Sequence, residues 1–260
     1  MGVPIRRQLH SIAAFTVLEA VRVRFFWLAG GILLAALLTA EFAGALALTE
    51  AVTMKAALFG FLLRVAAVFA VCLFVAASQT REYADKGTEM LLALPLSRAV
   101  YYFGKLAGYG AVALLVAAAA GVVAAVYAPL PQAILWAAAL GCEMLLMVAV
   151  TLLCLLTLTQ VATAISVVAG FYLLCRAIAA MQLIGHSPLI DAAVWSNQFI
   201  AALLDTLACV LPELYRFAPS EWLVYHNADF AALWPVLGQT AVYLLLVAGA
   251  SLFDLYRRNY

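Results

Sequence analysis

Long apolar runs alternate with short polar or helix-breaking segments along most of the chain. A helix that crosses a membrane needs about 20 mostly apolar residues, and six stretches meet that requirement. They are expected at about 25–46, 54–78, 99–127, 134–159, 161–184 and 231–253. Because backbone polar groups in lipid must pair within their own segment, each stretch is predicted as an α-helix. The pattern indicates an all-α polytopic membrane protein, with one six-span domain over residues 25–260.

Two further helices are predicted outside the spans. Residues 1–24 carry an apolar stripe at helical spacing, which is typical of an amphipathic helix in the plane of the lipid headgroups; its members are Ile5, Leu9, Ile12 and Phe15. In the predicted external segment 185–230, residues 189–211 are apolar but carry a polar stripe at seven-residue intervals, formed by Asp191, Gln198 and Asp205. This stripe favours an external amphipathic or re-entrant helix over a seventh span.

Composition narrows the class of protein. Of the 260 residues, 68% are hydrophobic and 10% are charged, whereas a soluble domain is about 45–50% apolar and about 25% charged. An ordinary cytoplasmic enzyme and a disordered regulator are therefore excluded. The net charge of +1 shows no basic surplus for binding nucleic acid. The five cysteines lack CxxC spacing and the three histidines are scattered, so no metal site is expected.

The basic residues predict the orientation of the spans. Cytoplasmic loops of membrane proteins carry an excess of lysine and arginine. If the amino terminus is cytoplasmic, most of the basic residues fall on that side, namely Arg6, Arg7, Arg22, Arg24, Arg81, Lys86, Arg98, Lys105, Arg257 and Arg258. Both termini are therefore predicted to be cytoplasmic.

The loop 80–98, between the second and third spans, is the most specific stretch of the sequence. Gly87 breaks the chain, Thr88 can cap a short helix, and Glu89 lies in its first turn, where the helix dipole favours an anion. Pro95 ends that helix and Ser97 can cap the next one. A short helix with an apolar face outside any span favours a docking element for a partner. An ordinary solvated connection is the alternative.

This order of acid, Gly-Thr, Leu-Leu, Pro and Ser-Arg resembles the permease subunit of type-2 ATP-binding-cassette exporters, and the layout of the whole chain is similar. The resemblance implies a coupling helix seated in a separate ATPase subunit, with contributions from Glu82, Gly87, Thr88, Glu89, Leu91, Leu92 and Pro95. It also implies two ATPase copies that bind ATP and Mg, a second copy of this permease, and the bacterial inner membrane. The chain has no phosphate-binding GxxxxGK[ST] loop, so no catalytic residue or cofactor is expected in it.

Three ionisable residues lie inside predicted spans: Arg64, Glu143 and Arg176. Charges in a membrane are costly and are nearly always paired or face an aqueous cavity. They are interpreted as a structural ion cluster between spans 2, 4 and 5, or as a site where an arginine meets an anionic substrate.

An ATP-driven exporter is the leading prediction for the function. One alternative is a proton-coupled secondary carrier that uses Glu143 as its relay. The other is a membrane assembly factor that transports nothing. The sequence does not indicate the substrate, since a shared fold does not select one.

Overall fold

The computed structural model describes residues 5–47, 50–84, 97–158, 160–185 and 195–257. Within these ranges the regular structure is helical and contains no strand. The α-helices are α1 (Ile5–Arg22), α2 (Phe25–Leu46), α3 (Ala51–Ala84), α4 (Arg98–Ala124), α5 (Leu130–Thr157), α6 (Val161–Gly185), α7 (Trp195–Val210), α8 (Glu221–Tyr225) and α9 (Leu233–Arg257). By length and composition, α2, α3, α4, α5, α6 and α9 can each cross a membrane. The described residues therefore agree with the predicted all-α class and with six candidate membrane-spanning helices.

Helix α5 lies at the centre of the bundle. It packs against α3, α4, α6 and α9, and large side chains such as Trp136 and Met144 are completely buried on it. Small residues bring α4 and α5 together, since a Cβ atom added to Gly121 would lie 2.6 Å from the Cβ of Ala137. Small residues at such contacts allow close backbone approach between helices in a membrane.

Helix α1 lies within the region 1–24 predicted to be helical, and it packs along the N-terminal half of α4. A Cβ atom added to Gly104 would lie 2.9 Å from the Cβ of Ile12, and one added to Gly108 would lie 2.7 Å from the Cβ of Thr16. Two glycines four residues apart therefore form the groove that receives α1. On another face of α1, Phe15 is 62% exposed.

Helix α3 is longer than its predicted span of 54–78, because it continues without a break to Ala84. The first residues assigned to the loop 80–98, including Glu82, therefore belong to the last turns of α3. The predicted coupling helix itself lies outside the described residues, with Gly87, Thr88, Glu89, Leu91, Leu92 and Pro95. At the far side of that gap Ser97 caps α4 as predicted, with its Oγ 3.3 Å from the amide nitrogen of Val100.

The segment before the last span folds back into the bundle. Helix α7 lies inside the predicted stretch 189–211, and a bend of 63° separates residues 197–210 from the helical segment 214–225. By length and composition this pair is a broken span or a re-entrant loop. Between its two arms, Leu214, Phe217 and Ala218 are completely buried.

Candidate functional site

The three ionisable residues predicted inside the spans lie close together in the structure. Arg64 comes from α3, Glu143 from α5 and Arg176 from α6. The Nη1 atom of Arg176 lies 3.4 Å from Oε1 of Glu143, and Arg64 interacts electrostatically with both. Glu143 is completely buried and Arg64 is 4% exposed. With Tyr172 of α6, which also interacts with Glu143 and with both arginines, these residues form what we call the arginine cluster.

The arginine cluster holds a turn of the backbone, residues 214–218, which we call the carbonyl turn. Arg64 donates a hydrogen bond of 2.7 Å from Nη1 to the carbonyl oxygen of Ala218. Arg176 donates from Nη1 to the carbonyl oxygens of Leu214 and, at 3.2 Å, of Phe217. The indole nitrogen of Trp136 also donates to the Ala218 oxygen, at 3.0 Å. Donors from α3, α5 and α6 therefore converge on one turn of the segment that precedes the last span.

Ala218 has a φ angle of 42°, which lies in the left-handed region. For a residue with a side chain this conformation costs about 1–2 kcal/mol. Such strain persists where the surrounding structure over-determines it, and here Arg64 and Trp136 both bind the carbonyl of the strained residue. The carbonyl turn is therefore held in place by its neighbours rather than by its own backbone preference.

The electrostatics of the arginine cluster are unbalanced. Arg64 and Arg176 bring two positive charges, and Glu143 is the acid that they share. Three buried atoms of the cluster make no hydrogen bond of regular geometry to any described residue, although the Tyr172 side chain interacts with both Glu143 and Arg64. The three atoms are Nε of Arg64, Oε2 of Glu143 and the hydroxyl oxygen of Tyr172. Buried polar atoms are normally paired, so the cluster has unused capacity for a polar ligand.

A second polar cluster, which we call the inner network, lies at the predicted cytoplasmic end of the bundle. Glu82 at the end of α3 forms an ion pair with Lys105 of α4, whose side chain is only 3% exposed. The hydroxyl of Tyr101 donates to Oε1 of Glu82 at 3.3 Å and accepts a hydrogen bond of 2.8 Å from Nε2 of Gln79. The end of α3 is thereby fixed to the start of α4.

The inner network continues to α1. The hydroxyl of Tyr109 donates to Oγ of Ser78 at 2.9 Å, and the Ser78 hydroxyl donates to Oε2 of Glu19 at 2.8 Å. Tyr109 also faces the ammonium group of Lys105, which lies 5.6 Å from its ring centroid. One run of polar side chains therefore joins α1, α3 and α4, which are otherwise packed through apolar residues.

The helix that follows residues 85–96 is also attached to the bundle at its first residue. Arg98, the first residue of α4, donates a hydrogen bond of 2.6 Å from Nη1 to the carbonyl oxygen of Leu255 near the end of α9. Carbonyls in the last turn of a helix lack intrahelical partners, and a cation there is favoured by the helix dipole. Glu82 and Arg98, which lie near the two ends of this stretch, are thus anchored to different parts of the bundle.

The structure places Glu82, one of the residues assigned to coupling, in a buried ion pair on α3. Sequence reasoning missed Lys105 and Tyr101 as its partners, and it missed the carbonyl turn. The described residues contain no group of three His, Cys, Asp or Glu side chains placed to hold a metal ion. No protein-family model matches the chain, and no curated protein matches it.

Proposed function

We propose that the chain is the membrane-spanning permease subunit of an ATP-driven exporter of the type-2 ATP-binding-cassette class. The observation that carries this proposal is the anchoring of both flanks of residues 85–96, by Glu82 and Lys105 on one side and by Arg98 on the other. A loop that only connects two helices needs no such anchoring. A loop that passes force from a partner into the bundle needs rigid attachment, because slack would absorb the movement.

Helix α3 is the element that would pass this force across the membrane. It runs without a break from Glu82 in the inner network to Arg64 in the arginine cluster. The two residues are 18 positions apart, which is roughly 27 Å at about 1.5 Å per residue. A tilt of α3 started at the loop would therefore move Arg64 relative to Glu143 and the carbonyl turn.

The proposal includes an assembly and a location. ATP and Mg would bind to two copies of a separate ATPase subunit, two copies of this permease would share the transport route, and no nucleic acid is involved. The chain would lie in the bacterial cytoplasmic membrane with both termini cytoplasmic. Helix α1 would lie at the inner headgroup level, where exposed Phe15 and Leu18 could contact lipid. The loop 80–98 would couple the chain to the ATPase, and the segment 185–230 would be an external helical excursion.

The test is the recovery of an ATPase with the full-length, tagged chain from the membranes of its own host. Leu91→Ala and Leu92→Ala should abolish that recovery. Leu38→Ala should preserve it, because Leu38 lies on α2 with 57% of its surface exposed and gives a matched loss of an apolar side chain. Retention of the ATPase by both loop variants, or the absence of any ATPase from the wild-type preparation, would contradict the proposal.

The proton-coupled carrier remains the second candidate, because Oε2 of buried Glu143 lacks a hydrogen-bond partner among the described residues. An intramembrane carboxylate with free capacity suits a proton relay. This alternative requires no ATPase subunit. A chain that copurifies alone, and whose Glu143→Gln variant loses proton-driven transport while it remains folded at the assay temperature, would favour the carrier over the exporter.

A further inference from the structure

We propose that the arginine cluster is a binding site for an anionic oxygen group of the transported molecule, a phosphate or a carboxylate, and that the carbonyl turn occupies this site in the present structure. The inference rests on the proposed function, since it names the chemical class of what the exporter moves. It adds that the substrate and the carbonyl turn compete for the same two guanidinium groups.

Charge is the first argument. Arg64 and Arg176 share one buried carboxylate, that of Glu143. The second positive charge is balanced by the carbonyl dipoles of the turn, which are neutral groups. A full negative charge is a stronger partner for a guanidinium than a carbonyl, because charge-assisted hydrogen bonds with two ionised partners are the shorter and stronger ones. An oxyanion at this position would therefore replace the carbonyls of the turn favourably.

Unused hydrogen-bonding capacity is the second argument. Nε of Arg64 and the hydroxyl of Tyr172 are buried donors that make no hydrogen bond of regular geometry in the described part of the chain, although Tyr172 interacts with Glu143 and Arg64. Arg64 is 4% exposed and Tyr172 is 1% exposed, so bulk water does not serve them. The planar guanidinium fork fits the two oxygens of a carboxylate or phosphate. An oxyanion between the arginines can accept from these donors as well as from the Nη1 atoms that now bind the turn.

Access and release are the third argument. The side chain of Arg176 is 20% exposed, so an anionic group can approach it from the surface of α6. The turn that must leave is strained at Ala218 and lies at the start of the second arm of the segment 197–225, directly after the bend. Displacement of the turn would relieve the strain and free the segment, so binding of substrate would itself loosen this part of the bundle.

Hexyl phosphate is a suitable probe, because it carries the oxyanion on a short apolar chain. The purified full-length chain in dodecyl maltoside micelles is titrated with it, and the apparent melting temperature and the amide hydrogen exchange of residues 211–220 are followed. Hexyltrimethylammonium at equal ionic strength is the control for chain length. Amides of the turn are bonded within the segment, for example Phe217 to the Leu214 oxygen at 3.1 Å, so their exchange reports release.

The wild-type chain should be stabilised by hexyl phosphate and not by the ammonium probe, with faster exchange at residues 214–218. Arg64→Gln and Arg176→Gln should weaken the response at least about tenfold. Arg81→Gln should respond like the wild type, because Arg81 is an exposed arginine on the same helix as Arg64. If Arg64→Gln does not fold, Arg64→Lys replaces it and should also bind more weakly, since lysine lacks the planar fork.

Three results would each overturn the anion site. They are a response to hexyl phosphate in both glutamine variants equal to that of the wild type, unchanged amide hydrogen exchange at residues 214–218, and no response in the wild type. The same two variants are also tested for recovery of the ATPase. If they retain the ATPase while hexyl phosphate has no effect on the wild type, the anion site fails and the exporter proposal stands. If no ATPase is recovered with the wild-type chain, the exporter proposal fails instead.

Discussion

Arg64 and Ala218 are 154 positions apart in the chain, and the guanidinium of Arg64 donates a hydrogen bond of 2.7 Å to the Ala218 carbonyl. This contact joins the second candidate span to the segment that precedes the last one. The acceptor belongs to a residue with a strained backbone. The hydrogen bond stabilises the conformation of Ala218, and the backbone strain destabilises it. Two sets of variants test this region, and two more test the packing of α1 and the inner network.

Ala218→Gly should stabilise the chain by about 1 kcal/mol, because glycine adopts a positive φ without steric penalty. The matched control is Ala202→Gly in helix α7, which should destabilise it by about 0.5–1 kcal/mol, since glycine in a helix interior is unfavourable. Apparent melting temperatures in one detergent measure both variants. The completely buried methyl group of Ala218 contributes about 0.8 kcal/mol, so a destabilisation by Ala218→Gly larger than this would show that its backbone is not strained.

Glu143→Gln should destabilise the bundle strongly, because removing one partner of a buried ion pair costs about 3–5 kcal/mol. The double variant Glu143→Gln with Arg176→Gln should lose less than the sum of the two single losses, since the single acid variant leaves two guanidinium groups without their carboxylate. The three variants form a double-mutant cycle read from denaturation midpoints. Strict additivity would mean that the 3.4 Å contact carries no coupling.

Gly104→Ala should destabilise the packing of α1 against α4. The new Cβ would lie 2.9 Å from the Cβ of Ile12, and overpacking of this kind costs about 1–3 kcal/mol. Gly170→Ala makes the same chemical change where the new Cβ meets no described residue beyond its own helix turn within 4 Å, and it should be neutral or gain up to about 1 kcal/mol from helix propensity. Thermal denaturation compares the two.

A second-site variant checks the cause of the Gly104→Ala effect. Ile12→Ala shortens the side chain that the new methyl group meets, so it should recover part of the loss. If Gly104→Ala is harmless, or if Ile12→Ala brings no recovery, then α1 does not occupy the groove formed by Gly104 and Gly108.

Lys105→Met should be more harmful than the joint change Lys105→Met with Glu82→Gln. The single change leaves the Glu82 carboxylate, which is 14% exposed, without its cation. The double change removes both charges, and an uncharged pair is often tolerated where a broken one is not. Urea or thermal denaturation of the three forms decides it. A double variant as unstable as Lys105→Met would indicate that Lys105 acts through its contact with the Tyr109 ring instead.

Hydropathy was sufficient to locate the six long helices, because a run of about 20 apolar residues is a local signal that tertiary contacts do not need to complete. It did not show where α3 ends. Ser78, Gln79 and Glu82 look like the polar exit from a span, yet the helix continues because Tyr101, Tyr109 and Lys105 of α4 satisfy their side chains. Whether a polar residue ends a buried helix depends on partners that are distant in the sequence.

The arginine cluster was accessible to sequence reasoning in part. Because charges in lipid are costly, Arg64, Glu143 and Arg176 were expected to lie close together. In the structure, Nη1 of Arg176 lies 3.4 Å from Oε1 of Glu143. The carbonyl turn was not accessible, because a backbone carbonyl is present at every residue and carries no sequence signal. The groove for α1 was also missed. The pair Gly104 and Gly108 indicates that another element packs closely against α4, but it does not indicate which helix that is.

The arginine cluster binds backbone carbonyl oxygens, so these hydrogen bonds do not depend on most of the side chains in the carbonyl turn. Replacement of exposed Tyr215 or Arg216 leaves every acceptor oxygen where it is. Among homologues of this chain, we therefore expect positions 215 and 216 to vary while Arg64 and Arg176 are retained. Correlated substitutions would then not reveal the contact between the arginines and the turn. An interaction that matters for the molecule would in this way leave almost no evolutionary trace on one of its two sides.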